Sequence, residues 1–394
     1  MPVSAKTAAG MKQSSWIRRM FEAGEELKNR LGPENVFDLS LGNPVDEPPP
    51  EFSRELLRQV QTPRPGMHRY MANAGYPAAR NAVAAGLSKE LGLDFSGGDI
   101  VMTSGAAAGL NIVLKALLNP GDEVLVISPY FPEYLNYIDN NGGVARIVET
   151  GQGFLPDPEV VKGSVSAKTR AVILNTPNNP TGVVYDYALL ESLAGMLEQA
   201  GREVGHTIYI ISDEPYRRLV YDGLQFSSPL NHCRASILTS SFSKDLSLPG
   251  ERIGYVAVNP DIGEKNELVA GFIYANRILG FVNAPALMQN VLVNLQDVTV
   301  SVAGYQQRRD YLYQGLKNAG YDVVKPQGAF YMFPSVPDGD DVAFVHRLME
   351  YGVLAVPGSG FGRAGCIRLS FCVDERTLQG ALKRLSEAFQ RGVC

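Results

Sequence analysis

From Asp99 to about Asn259 the chain repeats one unit: a short β-branched run ending in Ser, Pro, Asn or Asp, then a longer stretch compatible with a helix. This alternation constrains the fold more than any other feature, because strands alternating with helical segments build α/β architectures around a largely parallel sheet. The predicted strands are Ile100–Thr103, Glu123–Ile127, Ala145–Glu149, Ala171–Leu174, Ile208–Ser212, Ser236–Thr239 and Gly254–Val258. They carry apolar side chains on both faces, as strands covered by helices on two sides do. Too few residues separate the last two for a helical crossover, so these are expected to run antiparallel.

Polar and glycine-rich segments gather where these strands end: TSGAAAG, SPYFPEY, NTPNNPTG, SDEPY and SFSKD. In open α/β sheets that edge is where ligands bind. After Pro285 the pattern changes to an amphipathic stretch, Ala286 to about Asn318, read as one long helix leading into a smaller α+β unit. That unit has predicted strands near Asp322–Lys325, Phe330–Phe333, Val353–Val356 and Ile367–Phe371. The stiff Pro-rich piece Pro44–Pro50 suits a strap between units. The expected organisation is an N-terminal arm with part of the small domain over 1–47, a large domain over 48–285, and the connecting helix with the small domain over 286–394.

Composition excludes several classes of function. Hydrophobic residues make up 45% and charged ones 20% of 394 residues, the balance of a soluble globular chain. A net charge of −5 without a basic stripe speaks against a nucleic-acid partner. No run reaches the roughly 18 apolar residues of a membrane span. The N-terminal stretch lacks the apolar core of a secretory signal, so the cytoplasm is the expected location. Cys233, Cys366, Cys372 and Cys394 show no paired spacing, and the four histidines are scattered. Neither a disulfide framework nor a metal site is expected.

The chemistry sits at the strand tips. Lys244, in Ser240-Ser241-Phe242-Ser243-Lys244, follows a strand end. There an amine near cations and apolar walls has a lowered pKa and becomes a nucleophile for a carbonyl. Asn175–Gly182 and Asp213–Tyr216 end two further strands, so an amide, a carboxylate and a phenol can point into one cleft. Singly, each is ordinary turn chemistry. Gly105–Gly109 opens a helix, and its free N–H groups and small side chains suit a phosphate or, equally, close helix packing.

Together with Arg252 and Cys366-Ile367-Arg368-Leu369-Ser370, these segments resemble, in order and approximate spacing, the class I/II aminotransferases of the fold-type-I family dependent on pyridoxal 5'-phosphate (PLP), related to aspartate aminotransferases. The resemblance covers nearly the whole chain. It implies a large domain with a mostly parallel seven-stranded sheet between helices, plus a smaller α+β domain. Carried over, Lys244 resembles the family's Schiff-base lysine, which also shuttles the substrate Cα proton. Asp213 resembles the carboxylate paired with the pyridine nitrogen, and Tyr216 and Asn179 the partners of the phenolic oxygen. Phe131 falls where the family stacks an aromatic, commonly Trp or Tyr. Ser241, Ser243, Arg252 and the backbone of Gly105, Ala106 and Ala107 match the phosphate site. Tyr70 resembles the tyrosine that reaches the neighbouring subunit's phosphate, which implies a homodimer with shared sites. Arg368 resembles the arginine that grips the substrate α-carboxylate, with the backbone N–H of Gly42 beside it.

The resemblance implies transfer of an amino group between an amino acid of aspartate, alanine or aromatic type and a 2-oxo acid such as 2-oxoglutarate. Side-chain specificity departs from the pattern: where some aspartate-specific relatives carry a lysine in the glycine-rich turn, this chain has Ala107. Arg277 is a candidate for a second carboxylate, and Tyr130, Tyr134, Phe330 and Tyr331 for an apolar pocket or core. A PLP-dependent β-lyase of the same fold shares the cofactor residues and stands as the alternative. A non-catalytic PLP-binding sensor is the remote one, since no basic helix-turn-helix region precedes Gly42.

Overall fold

The computed structural model describes residues 2–12 and 16–392; Met1, residues 13–15 and residues 393–394, with Cys394, lie outside the described residues. A two-residue strand near the N-terminus, β1 (Phe37–Asp38), pairs far down the chain, and the central sheet follows it. Its strands are β2 (Ile100–Thr103), β3 (Glu123–Ser128), β4 (Val144–Glu149), β5 (Thr169–Asn175), β6 (Tyr209–Asp213), β7 (Ser236–Ser241) and β8 (Gly254–Val258). Across the sheet the order is β2-β8-β7-β6-β5-β3-β4. Strand β8 is antiparallel to both neighbours, as its short link to β7 demands, and the other pairs are parallel.

Burial on both faces explains why β5 is apolar throughout. Val172 and Leu174 pack with Leu190, Leu193 and Leu197 of the helix Tyr187–Val204. Ala171 and Ile173 pack on the opposite side with Leu110 and Leu114 of the helix Ala106–Leu117. Alternate residues of one strand thus enter different cores, each large side chain contributing about 1.5–3 kcal/mol. The edge strand β4 departs from the two-faced expectation. Val144 and Ile147 stand exposed, because the strand has a neighbour on one side only and the two short helices that touch it, Glu133–Asn140 and Pro158–Gly163, leave part of it open.

From β3 the chain passes to β4 on one side and then to β5 on the other. The carboxyl ends of β3 and β5 therefore flank a reversal in strand order, where an α/β sheet opens a crevice.

The smaller unit has β9 (Tyr331–Met332), β10 (Val353–Leu354), β11 (Val356–Pro357) and β12 (Ile367–Ser370). Strands β11-β12-β9 form an antiparallel sheet, and β1 pairs in parallel with β10. Two expectations are corrected here. Residues 322–325 form no ladder, and Pro326 directly after them has no N–H to extend one. The single helix over 286–318 is two helices, Ala286–Leu292 and Val302–Ala319. Between them Val298, Thr299 and Val300 leave the helical path, and the Ser301 hydroxyl accepts from the Gly304 N–H to start the second helix.

Candidate active site

The crevice holds a cavity of about 300 Å³, and most of the residues singled out from the sequence line it. Strand β2 enters its helix through Gly105, whose φ of 86° is left-handed and suits a residue without Cβ. Ala106 and Ala107, in the first helical turn, line the cavity with N–H groups that have no partner within the helix. A Cβ on Gly105 would stand 2.7 Å from the Arg252 guanidinium. Arg252 has a left-handed φ of 50° and donates through Nη1 to the Pro249 carbonyl at 2.9 Å. With Ser241 and Ser243 also on the wall, this corner is an anion cradle with a charge-bearing fork.

Asp213 closes β6 and is buried. Its Oδ2 accepts from the Tyr134 hydroxyl at 2.5 Å and its Oδ1 from Thr239 at 3.3 Å. Burial pushes the carboxyl up to about 6, against the pull of those two donors. Asn175 bridges two strand tips. Its amide nitrogen donates to the Asp213 carbonyl at 2.8 Å, and its oxygen accepts from the Asn179 N–H at 2.8 Å.

Lys244 is half-buried and donates to the Gly42 carbonyl at 2.7 Å, with its nitrogen 5.4 Å from the centre of the Phe330 ring. Burial, helped by Arg368 and Arg252, brings its ammonium down to about 8. The Tyr216 hydroxyl lies 3.1 Å from that of Tyr331, which leans over Gly42 so closely that a Cβ there would overlap it.

Arg368, in β12, is buried between the rings of Tyr331 and Phe361, at 4.6 and 4.7 Å. One terminal nitrogen donates to Asn179 at 3.1 Å and the other to the Ser40 carbonyl at 2.5 Å, while its Nε is buried without a partner. Phe131 lines the cavity and meets Tyr134 edge to face, ring centres 5.4 Å apart.

Gly42, Asn179, Asp213, Tyr216, Lys244, Arg252 and Arg368, from both ends of the chain, thus share one wall system. Tyr70 does not join them: it is 91% exposed and lines a separate surface cleft with Arg277. Tyr130 packs on Gly362 and Phe330 lies in the small-unit core. Tyr134, read from the sequence as wall or core, is the hydrogen-bond donor to Asp213. Glu133 and Asn175 also line the cavity; Glu133 was not singled out from the sequence, and Asn175 was read there only as the start of the turn Asn175–Gly182. Phe131 lies just before the helix Glu133–Asn140 and Tyr134 in its first turn, so the segment Pro129–Tyr134 delivers both side chains to this side of the crevice.

The model of the family "Aminotransferase class I and II" matches residues 34–385. The chain belongs to that family. It is 34% identical over 365 residues to an aspartate/prephenate aminotransferase of Thermus thermophilus, covering 91% of this chain and 92% of the relative. With an aspartate aminotransferase of Thermotoga maritima it shares 35% over 360 residues, covering 90% and 91%. Among solved structures, an aminotransferase from Eubacterium rectale superposes with a TM-score of 0.95 at 37% identity, covering 99% of both chains. The Thermotoga maritima aspartate aminotransferase gives 0.88 at 31% identity, covering 98% of this chain and 99% of the other. As a member of the class I and II aminotransferases, the chain is a PLP-dependent aminotransferase of fold type I. The donor set fits that cofactor: an anion cradle, a buried carboxylate with hydrogen-bond support, and an amine shifted towards neutrality face one cavity.

Proposed function

We propose that the cavity transfers an amino group from an α-amino acid to a 2-oxo acid, with the roles divided among its own residues as follows. Lys244 would hold the cofactor, and its amine carries a proton to and from the substrate Cα, work suited to an amine with a pKa near the working pH. The Ala106 and Ala107 N–H groups, Ser241, Ser243 and Arg252 hold the phosphate. Asp213, steadied by Tyr134 and Thr239, pairs with the pyridine nitrogen. Tyr216 and Asn179 bind the phenolic oxygen, and Phe131 covers the ring. When bound, PLP supplies an electron-withdrawing ring that stabilises negative charge at the substrate Cα. Arg368 grips the α-carboxylate beside Gly42. The observation that carries this reading is its buried, unpartnered Nε on the cavity that Lys244 lines, a donor awaiting an acceptor.

Tyr70, exposed beside Arg277, supports a homodimer in which each subunit completes the other's site. The smaller unit, formed by residues 1–47 and 286–394, closes on the large domain over 48–285, and the pairing of β1 with β10 supports its dual origin. No described helix is long and apolar enough to cross a membrane. The free thiols of Cys233, Cys366 and Cys372 support a cytoplasmic location.

The names of the relatives put aspartate among the donors to try, beside alanine and the aromatic amino acids. The test is a spectral titration of the PLP-loaded protein with each amino acid in the absence of any keto acid. Conversion to pyridoxamine phosphate with release of the matching keto acid is expected, and Lys244→Ala should show neither. Steady release of pyruvate and ammonia from cysteine-type substrates would instead mark a lyase.

A further inference from the structure

Two carboxylates line the cavity, Asp213 and Glu133. Asp213 has Tyr134 and Thr239. Glu133, the first residue of the helix Glu133–Asn140, has its Oε2 buried with no hydrogen-bond partner, and it makes no ion pair among the described residues. A carboxylate oxygen taken from water and left unpaired is costly. One that faces the space a substrate must occupy is a recognition group waiting for its ligand.

In the reading above, the cations on the same wall are assigned to other groups. Arg252 stands over the anion cradle at Gly105, Lys244 is the reactive amine, and Arg368 offers its free Nε to the α-carboxylate. None is left to meet a second carboxylate on the substrate, and Ala107 in the glycine-rich turn brings no charge. Glu133 lines the same cavity as Arg368 and Tyr331, the side chains placed beside the substrate. Burial raises the Glu133 carboxyl above its ordinary value, against the pull of its own backbone N–H and of the Arg368 guanidinium.

We infer that Glu133 selects the amino donor by its side chain, accepting a hydrogen bond from a terminal N–H group, a carboxamide or an ammonium, and repelling a terminal carboxylate. This rests on the aminotransferase reading above and deepens it. The favoured donors are amides or diamino acids, and aspartate and glutamate are disfavoured. The same repulsion acts on the distal carboxylate of 2-oxoglutarate. A site that hydrogen-bonds its substrate discriminates by the unpaired group that the wrong substrate leaves behind, and like charges brought together add to the effect.

The first measurement needs no variant. Dissociation constants of succinamate and succinate, two unreactive acids that differ only in amide against carboxylate, are determined on the PLP-loaded enzyme. Succinamate is expected to bind tighter by roughly tenfold to a hundredfold; equal affinities, or tighter succinate, overturn the proposal. The second is the ratio of kcat/KM values for L-asparagine and L-lysine to that for L-aspartate, in the native enzyme and in Glu133→Gln. The glutamine keeps an acceptor but loses the charge. The lysine-to-aspartate ratio should therefore collapse, while the asparagine-to-aspartate ratio falls less if a carboxamide is the preferred donor. If a cation of the second subunit neutralises Glu133, the variant lowers all donors by one factor and leaves both ratios within threefold, which sinks the idea. The half-reaction with L-alanine tests the transaminase reading separately. Its failure would remove that reading, while the two dissociation constants would still report on Glu133.

Discussion

Lys244 shows how one side chain reports its surroundings. Its ordinary ammonium pKa falls to about 8 because burial penalises the charge, and two nearby guanidinium groups add to the effect. Only the neutral amine attacks a carbonyl, so in the cofactor-free protein the rate of PLP capture should climb about tenfold per pH unit below 8 and level off above it. Stopped-flow absorbance at a series of pH values measures this, and a plateau beginning near pH 10 would mean that the cavity leaves the lysine unperturbed. Asp213 responds to burial in the opposite direction. Burial lifts it to about 6 and the Tyr134 hydroxyl pulls it down. Tyr134→Phe should therefore raise it further and lower kcat by roughly 10- to 100-fold, the weight of one hydrogen bond to a charged group. The acid limb of the pH–rate profile should move up in the same variant. A loss of rate without that displacement would make Tyr134 a packing residue only. Tyr134 was hard to find in the sequence because its partner lies 79 positions away, and an aromatic at helical spacing usually belongs to a core.

Between residue and domain stand the turns that deliver side chains to the crevice. The strand tips were legible as β-branched runs ending in Asn, Asp or Ser, which located Asp213, Lys244 and Asn179 at one sheet edge, while their roles came from the family resemblance. The turn at Gly105 makes its own prediction. Gly105→Ala should force a left-handed alanine and push a methyl against Arg252, costing about 1–2 kcal/mol in backbone strain. Affinity for PLP, read from quenching of protein fluorescence, should weaken at least tenfold, with a smaller fall in melting temperature. Unchanged affinity would move the anion cradle elsewhere. The break between Leu292 and Val302 was less legible. The stretch is amphipathic on both sides of it, and only Ser301 as a cap and the β-branched trio before it marked the interruption. The edge strand β4 was misread for a similar reason: local pattern records which residues are apolar, while exposure depends on whether a neighbour arrives on the far side.

At the scale of the molecule, the site is assembled from segments more than 300 positions apart, such as Ser40 and Arg368. Their meeting followed from the family resemblance and not from any local signal. The same resemblance suggested Tyr70 as a site residue, and in the proposed homodimer its exposed cleft would meet a second copy. Sedimentation equilibrium should give a particle of twice the 42.8 kDa chain mass. A monomer with full activity would show that Tyr70 serves no neighbour.

The joint between the two units has one further consequence. Where the helical path breaks, the Val300 N–H and the Thr299 hydroxyl both donate to the carbonyl of Asp245, at 2.8 and 3.0 Å, and Asp245 is the residue directly after Lys244. The linker is thus hung on the loop that carries the reactive amine. Displacement in a rotation grows with distance from the pivot, so any swing about this fulcrum sweeps Arg368 through an arc while the lysine nitrogen stays nearly at rest. Opening of the proposed kind, to exchange one acid for another, would leave the aim of the amine unchanged.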